Sequence, residues 1–254
     1  MRELIAQKIL AHESHIVRDL CELTRIPSVK APPQEGMPFG RGCAEAIAYI
    51  MKKAEEFGLD AVNFDNYACH VEYTPEGAEG DDYAVVLCHL DVVPVGDGWD
   101  TDPFEPVIQN GRIYARGVCD NKGPGIAALY ALKVLKDMKA TGKRKIRVVY
   151  GADEESGMAD MTYYFEKNPL PKWGFSPDAN YPMYNCEKGM ARIRFSAPAS
   201  GQIRAFRAGT VVNAVPSSAH IELTGLKEDQ IKALEATAQI ARYQKEHLSV
   251  RIGR

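Results

Sequence analysis

Four short runs place His, Asp and Glu just beyond apolar stretches of strand character, where open α/β sheets put catalytic groups. The first is His89-Leu90-Asp91, after the apolar run 83–87. Alternation along a strand sets His89 and Asp91 on one side, so Asp91 can accept a hydrogen bond from the far imidazole nitrogen of a metal-binding His. A structural His beside a surface Asp is the ordinary alternative. In the second run, Gly117-Val118-Cys119-Asp120-Asn121-Lys122-Gly123, the glycines permit tight turns that would aim Asp120 at a pocket. The competing reading makes Asp120 a plain helix N-cap, and the spacing matches neither the Walker A loop nor the dinucleotide fingerprint. The third is Asp153-Glu154-Glu155, after 146–150. Three consecutive carboxylates repel one another unless a cation neutralises them. Adjacent Glu side chains diverge, so one can bind metal while the other serves as base; an exposed acidic turn is the alternative. The fourth, Pro177-Asp178-Ala179 after 173–175, reads by itself as a turn.

Together these runs make an oxygen-rich set, one His with several carboxylates, suited to a divalent metal pair. No HExxH, GxSxG or Cys/His nucleophile pattern competes. The cysteines, Cys21, Cys43, Cys69, Cys88, Cys119 and Cys186, form no C-x-x-C pair. That argues for reduced thiols in the cytoplasm and for a metal held by imidazole and carboxylate rather than thiolate.

The elements that must position these residues follow from hydrophobic spacing. Residues 3–26 carry Leu4, Ile5, Ile9, Ile16, Leu20 and Leu23 at helical intervals up to Pro27, and 44–57 form a second amphipathic helix stopped by Gly58. Residues 68–73 and 83–87 read as strands, the latter apolar on both faces as a covered central strand is. Residues 94–112 read as loop, 113–115 as a short strand, 124–135 as helix, 146–150 as a buried strand and 158–165 as a short helix. Such alternation predicts an α/β fold with a mostly parallel sheet covered by helices. From about Gly189 the pattern changes: strands at 191–195, 203–207 and 220–223, a helix from 227 to about 243 and a strand at 248–252 predict the opening of a second, smaller α/β unit.

Composition bounds the function classes. With 254 residues, 45% hydrophobic and 26% charged, the chain is long enough for one large or two modest globular domains, which excludes wholesale disorder. The net charge of −3 gives no reason to expect nucleic acid or an anionic membrane as partner. No apolar run approaches the length of a membrane span, and no signal peptide is visible at Met1-Arg2-Glu3-Leu4.

The ordered runs His89-Leu90-Asp91, Trp99-Asp100-Thr101-Asp102-Pro103-Phe104, Gly111-Arg112-Ile113-Tyr114-Ala115-Arg116-Gly117, Asp120-Asn121-Lys122-Gly123, Asp153-Glu154-Glu155 and Pro177-Asp178 resemble the zinc-type metallopeptidases. That superfamily groups aminoacylase, acetylornithine deacetylase, succinyl-diaminopimelate desuccinylase and bacterial dipeptidases. Tyr181-Pro182 and Glu187-Lys188-Gly189 resemble the bacterial broad-specificity dipeptidase branch most, and Asn213-Ala214-Val215-Pro216 resembles its lid segment. The resemblance implies His89 and Asp178 on one metal, Asp120 bridging two, Glu155 on the second, Glu154 as general base and Asp91 orienting His89. It implies two divalent ions, zinc or else manganese or cobalt, hydrolysis of dipeptides, and a substrate contact from Asn213. Deacylation of N-acyl amino acids is the alternative within the superfamily.

Members of that superfamily run far longer, with a lid His and a last metal-binding His beyond the equivalent of Arg254. His220 and His247 lie in no matching motif. The expectation is therefore a truncated form: residues 1–186 as the N-terminal part of a catalytic domain and 187–254 as the beginning of a lid. Such a chain would hold at most one ion tightly and be inactive alone, and it would self-associate or need a complementing C-terminal fragment. A non-catalytic remnant and one half of a split enzyme are the remaining classes.

Overall fold

A computed structural model describes residues 2–180, 183–186, 201–209, 218–235, 239–244 and 247–253, with isolated positions between 189 and 198. The chain divides into two compact units, Met1–Asn185 and Cys186–Arg254. The strand and helix order gives an α/β architecture. Among the described residues no helix is long and apolar enough to cross a membrane.

The first unit is built on a five-stranded sheet. Strands β1 (Asp60–Phe64), β2 (Ala68–Tyr73), β3 (Tyr83–His89), β6 (Lys145–Gly151) and β7 (Trp173–Phe175) lie in the order β1-β2-β6-β3-β7. The sheet is mixed: β3 runs parallel to β6 and β7, whereas β2 runs antiparallel to β1 and β6. On the antiparallel side β1, which the apolar spacing does not reveal, is half-exposed and hairpins onto β2 through Asp65 and Asn66, both at positive φ. Helices α2 (Glu13–Thr24), α3 (Arg41–Glu56) and α4 (Gly123–Asp137) bury Leu23, Ile47, Ile50, Ile126 and Leu129 against Val71, Val148 and Tyr150 of the sheet. On the other face α5 (Ala159–Lys167) packs Met161 and Tyr164 against Tyr83, Val85 and Val149.

The expected single helix over 3–26 is two. Helix α1 (Arg2–Leu10) buries no residue and ends at Ala11 and His12, before α2 takes over the packing face. A two-residue break, Ala11 and His12, interrupts the apolar period too briefly for periodicity to register it. The expected loop 94–112 contains β4 (Val107–Gln109), which pairs with β5 (Arg112–Tyr114) around Asn110 and Gly111, both at positive φ.

The second unit contains a four-stranded antiparallel sheet in the order β10-β11-β9-β8, from β8 (Ile203–Ala208), β9 (Ser218–Leu223), β10 (Gln239–Gln244) and β11 (His247–Gly253). Of the helix expected over 227–243, the described residues hold α6 (Glu228–Glu235), whereas 239–243 belong to strand β10. There the ladder to β11 satisfies the backbone that a longer helix would have used, so tertiary pairing overrides local spacing. The strand expected at 191–195 lies largely outside the described residues.

Candidate metal centre

The parallel strands β3, β6 and β7 end on one edge of the sheet, and the candidate residues sit at or just beyond those ends. His89 closes β3 opposite Gly151 of β6, Glu154 and Glu155 follow β6, and Asp178 follows β7. Asp120 comes from a single irregular turn, Val118–Lys122, between Gly117 and α4. Gly117 adopts φ +84, and a Cβ there would lie 2.8 Å from the Val92 side chain, so this turn needs glycine on both counts. The Asp120–Asn121 peptide is cis.

His89 is 3% exposed and the side chains converge on its ring. Nδ1–H donates to the backbone carbonyl of Asp91 at 2.9 Å, which turns Nε2 toward Asp120 Oδ1 at 2.9 Å and Asp178 Oδ2 at 3.3 Å. Ligand atoms of His89, Asp120 and Glu155 lie within 4.8 Å of one another, and so do those of His89, Glu154 and Asp178. All five expected residues of the cluster are therefore brought together. Asn213 lies outside the described residues. The Asp120 side chain is 61% exposed, so the cluster opens to solvent on that side.

Asp91 supports the cluster in a different way from its sequence reading. Its carboxylate Oδ1 is 3.4 Å from His89 Nδ1, and the ring is held instead by the Asp91 main-chain carbonyl. The carboxylate accepts the backbone N–H groups of Glu154 at 3.1 Å and Glu155 at 3.0 Å. Asp91 is 1% exposed, and a buried carboxylate takes the donors closest to it, here the two amides that emerge past β6. One residue thus ties the imidazole to the glutamate pair.

Residues to which the sequence reading assigns no role support this centre. Asp160, fully buried, accepts the amides of Ala152 at 2.7 Å and Asp153 at 2.9 Å, an anchor whose only sequence signal is an acidic residue in the first turn of α5. Asn121 Nδ2 donates to the Pro177 carbonyl at 3.4 Å, joining the Asp120 turn to the loop bearing Asp178. Lys122 is fully buried and donates to the carbonyls of Leu23 at 3.2 Å and Ile26 at 2.8 Å, and burial pulls its ammonium down to about 7.

Charge is unbalanced in this cluster. Burial opposes an imidazolium at His89, yet Asp120, Asp91 and Asp178 outweigh it and raise the ring to about 11. The His89 ring in turn holds the Asp120 carboxyl below its ordinary value. Burial, reinforced by Asp120 and Glu154, pushes Glu155 up to about 7. Burial together with Asp178, Asp91 and Asp120 also raises Glu154. Carboxylates crowded this closely favour a positive charge among them, such as the protonated His89 ring or a bound cation.

Residues 85–247 match the peptidase family M20/M25/M40. The chain belongs to that family. Its relatives include the "Putative dipeptidase YtjP" of Bacillus subtilis, 38% identical over 233 residues that make up 88% of this chain and 50% of the relative. The chain spans about half the length of the curated relatives it matches. Among solved structures, the M20 family metallo-carboxypeptidase Sso-CP2 from Sulfolobus solfataricus superposes with a TM-score of 0.54 at 28% identity, over 65% of this chain and 37% of that one. Human carnosine dipeptidase 1 shares the fold, with a TM-score of 0.55 at 24% identity over 65% and 37% of the two chains.

Proposed function

We propose that this chain carries the metal centre of a metallo-dipeptidase that hydrolyses the peptide bond of dipeptides. The observation that carries the reading is the convergence of His89 Nε2 with Asp120, Asp178, Glu154 and Glu155 at one sheet edge. The donor set fits a divalent cation of the zinc, manganese or cobalt kind: one imidazole whose Nδ1–H is fixed by a carbonyl, with several carboxylates around it. His89, Asp120 and Asp178 would hold one ion, and Asp120 with Glu155 a second. Such ions would supply Lewis-acid polarisation of the scissile carbonyl and would lower the pKa of bound water.

The chain's own residues do the rest. Glu154, raised above its ordinary value by burial, is suited to take the proton of the attacking water and pass it to the leaving amine. Asp91 holds the backbone of both glutamates and the His89 ring, so base and ligands keep a common frame. The first compact unit serves as the catalytic part and the second as the beginning of a lid. A reducing, cytoplasmic setting fits the free cysteines. A dipeptide substrate is supported by the name of the Bacillus subtilis relative.

By itself the 254-residue chain would hold at most one ion tightly and be catalytically silent, because among the described residues the cluster offers a single imidazole. Turnover of a dipeptide and an N-acetyl amino acid, side by side, by the protein in its longest natural form tests the substrate class. Dipeptide hydrolysis is the expected result, and preference for the acetylated compound would establish the deacylase instead.

A further inference from the structure

Segment 26–30 carries no candidate ligand, yet it touches the runs that do. Val29 bridges Val92 in parallel, the Val92 amide donates to the Ser28 carbonyl at 3.0 Å, and the buried Ser28 hydroxyl donates to the Leu90 carbonyl at 2.5 Å. These bonds lock the segment to the residues on either side of Asp91. On its other flank α3 approaches so closely that a Cβ at Gly42 would sit 2.2 Å from the Pro27 carbonyl oxygen. The Ile26 carbonyl takes the Lys122 ammonium from the Asp120 turn.

From this anchored backbone Lys30 reaches Asp153, with Nζ 2.6 Å from Oδ1. The Lys30 side chain is 42% exposed and passes over the Phe39 ring, whereas Asp153 is 1% exposed. The ammonium therefore reaches inward to a buried carboxylate. Around Asp153 the turn 153–159 is wound: its carboxylate also accepts the Ser156 hydroxyl and the Ala159 amide, and its carbonyl accepts the amides of Gly157 and Met158. The next two residues of that turn are Glu154 and Glu155.

We propose that Lys30 is a positioning residue of the metal centre, clamping Asp153 to segment 26–30 and so fixing the turn that presents Glu154 and Glu155. This rests on the metal reading above. The sign of its effect separates positioning from simple charge. Removing a cation next to a carboxylate cluster should, by Coulomb attraction alone, strengthen binding of a divalent ion. Loss of the clamp should weaken it, since residues that support ligands without touching the metal typically contribute about 10–100-fold in affinity.

The test is titration of the 254-residue chain with cobalt(II), read by its d–d absorption, together with amide hydrogen exchange at Glu154 and Glu155 in the metal-free protein. For Lys30→Met the expected result is roughly tenfold weaker cobalt binding, an altered absorption envelope and faster exchange of both amides, with Lys30→Arg restoring all three. Equal or tighter cobalt binding by Lys30→Met, with unchanged exchange, would overturn the proposal and leave the metal reading standing. A wild-type chain that gives no cobalt spectrum would overturn the metal reading and this proposal with it.

Discussion

Metal uptake by this cluster should be tightly coupled to proton release, and the coupling can be worked out from the geometry. Without an ion, the carboxylates of Asp120, Asp91 and Asp178 raise His89 to about 11, so at neutral pH the ring carries a proton on Nε2, where a metal must bind. An entering ion displaces that proton. A raised pKa means the protonated form holds out further as pH rises, so apparent affinity climbs with pH through the whole neutral range. From pH 8 to pH 6 the His89 proton alone should weaken apparent binding roughly a hundredfold, about ten per pH unit. Glu155, pushed up to about 7 chiefly by burial, is largely protonated at the lower pH. If it too receives the ion, its proton adds about another tenfold over the same interval. Calorimetric titration with zinc in two buffers of different ionisation enthalpy counts the protons released directly. About one proton per ion at pH 8, rising toward two at pH 6, is the expected outcome. Uptake of zinc with no proton released at either pH would refute the placement of the ion on His89.

Two further expectations follow from single residues. Glu154→Gln should leave the metal content of the protein in its longest natural form intact while lowering dipeptide turnover about a hundred- to ten-thousand-fold, measured by metal analysis beside a steady-state assay; loss of metal would reassign Glu154 as a ligand. Gly174→Ala would set a Cβ 2.2 Å from Val85 Cγ1 and 2.4 Å from the Val85 carbonyl oxygen, so β7 should lose its pairing with β3 at a cost of ~1–3 kcal/mol; an unchanged thermal midpoint would contradict that packing.

How legible this site was in the sequence depends on which physical signal each residue carries. His89, Asp120, Glu154, Glu155 and Asp178 stand at the ends of apolar strand runs or between glycines, and such punctuation shows in one dimension. Strand β3 was visible because it is buried on both faces and so reads as an unbroken apolar run. Strand β1 was not, because a half-exposed edge strand has no such run. The role of the Asp91 carboxylate was hidden for another reason: its partners are the backbone amides of Glu154 and Glu155, and main-chain donors leave no residue-type signature. Lys30 and Lys122 were missed because a lysine in a chain reads as surface charge, and only the fold shows one buried and the other holding a buried Asp153. The strand β10 replaced the end of an expected helix because its ladder partner β11 comes later in the chain, which local periodicity cannot anticipate.

The most direct test of the central claim is a crystal of this chain grown with zinc, with diffraction recorded at the zinc absorption edge. The account predicts an anomalous peak about 2.0–2.1 Å from His89 Nε2 and in contact with the carboxylates of Asp120 and Asp178. Zinc bound elsewhere on the chain, with His89 Nε2 still paired to Asp120 and Asp178, would contradict it.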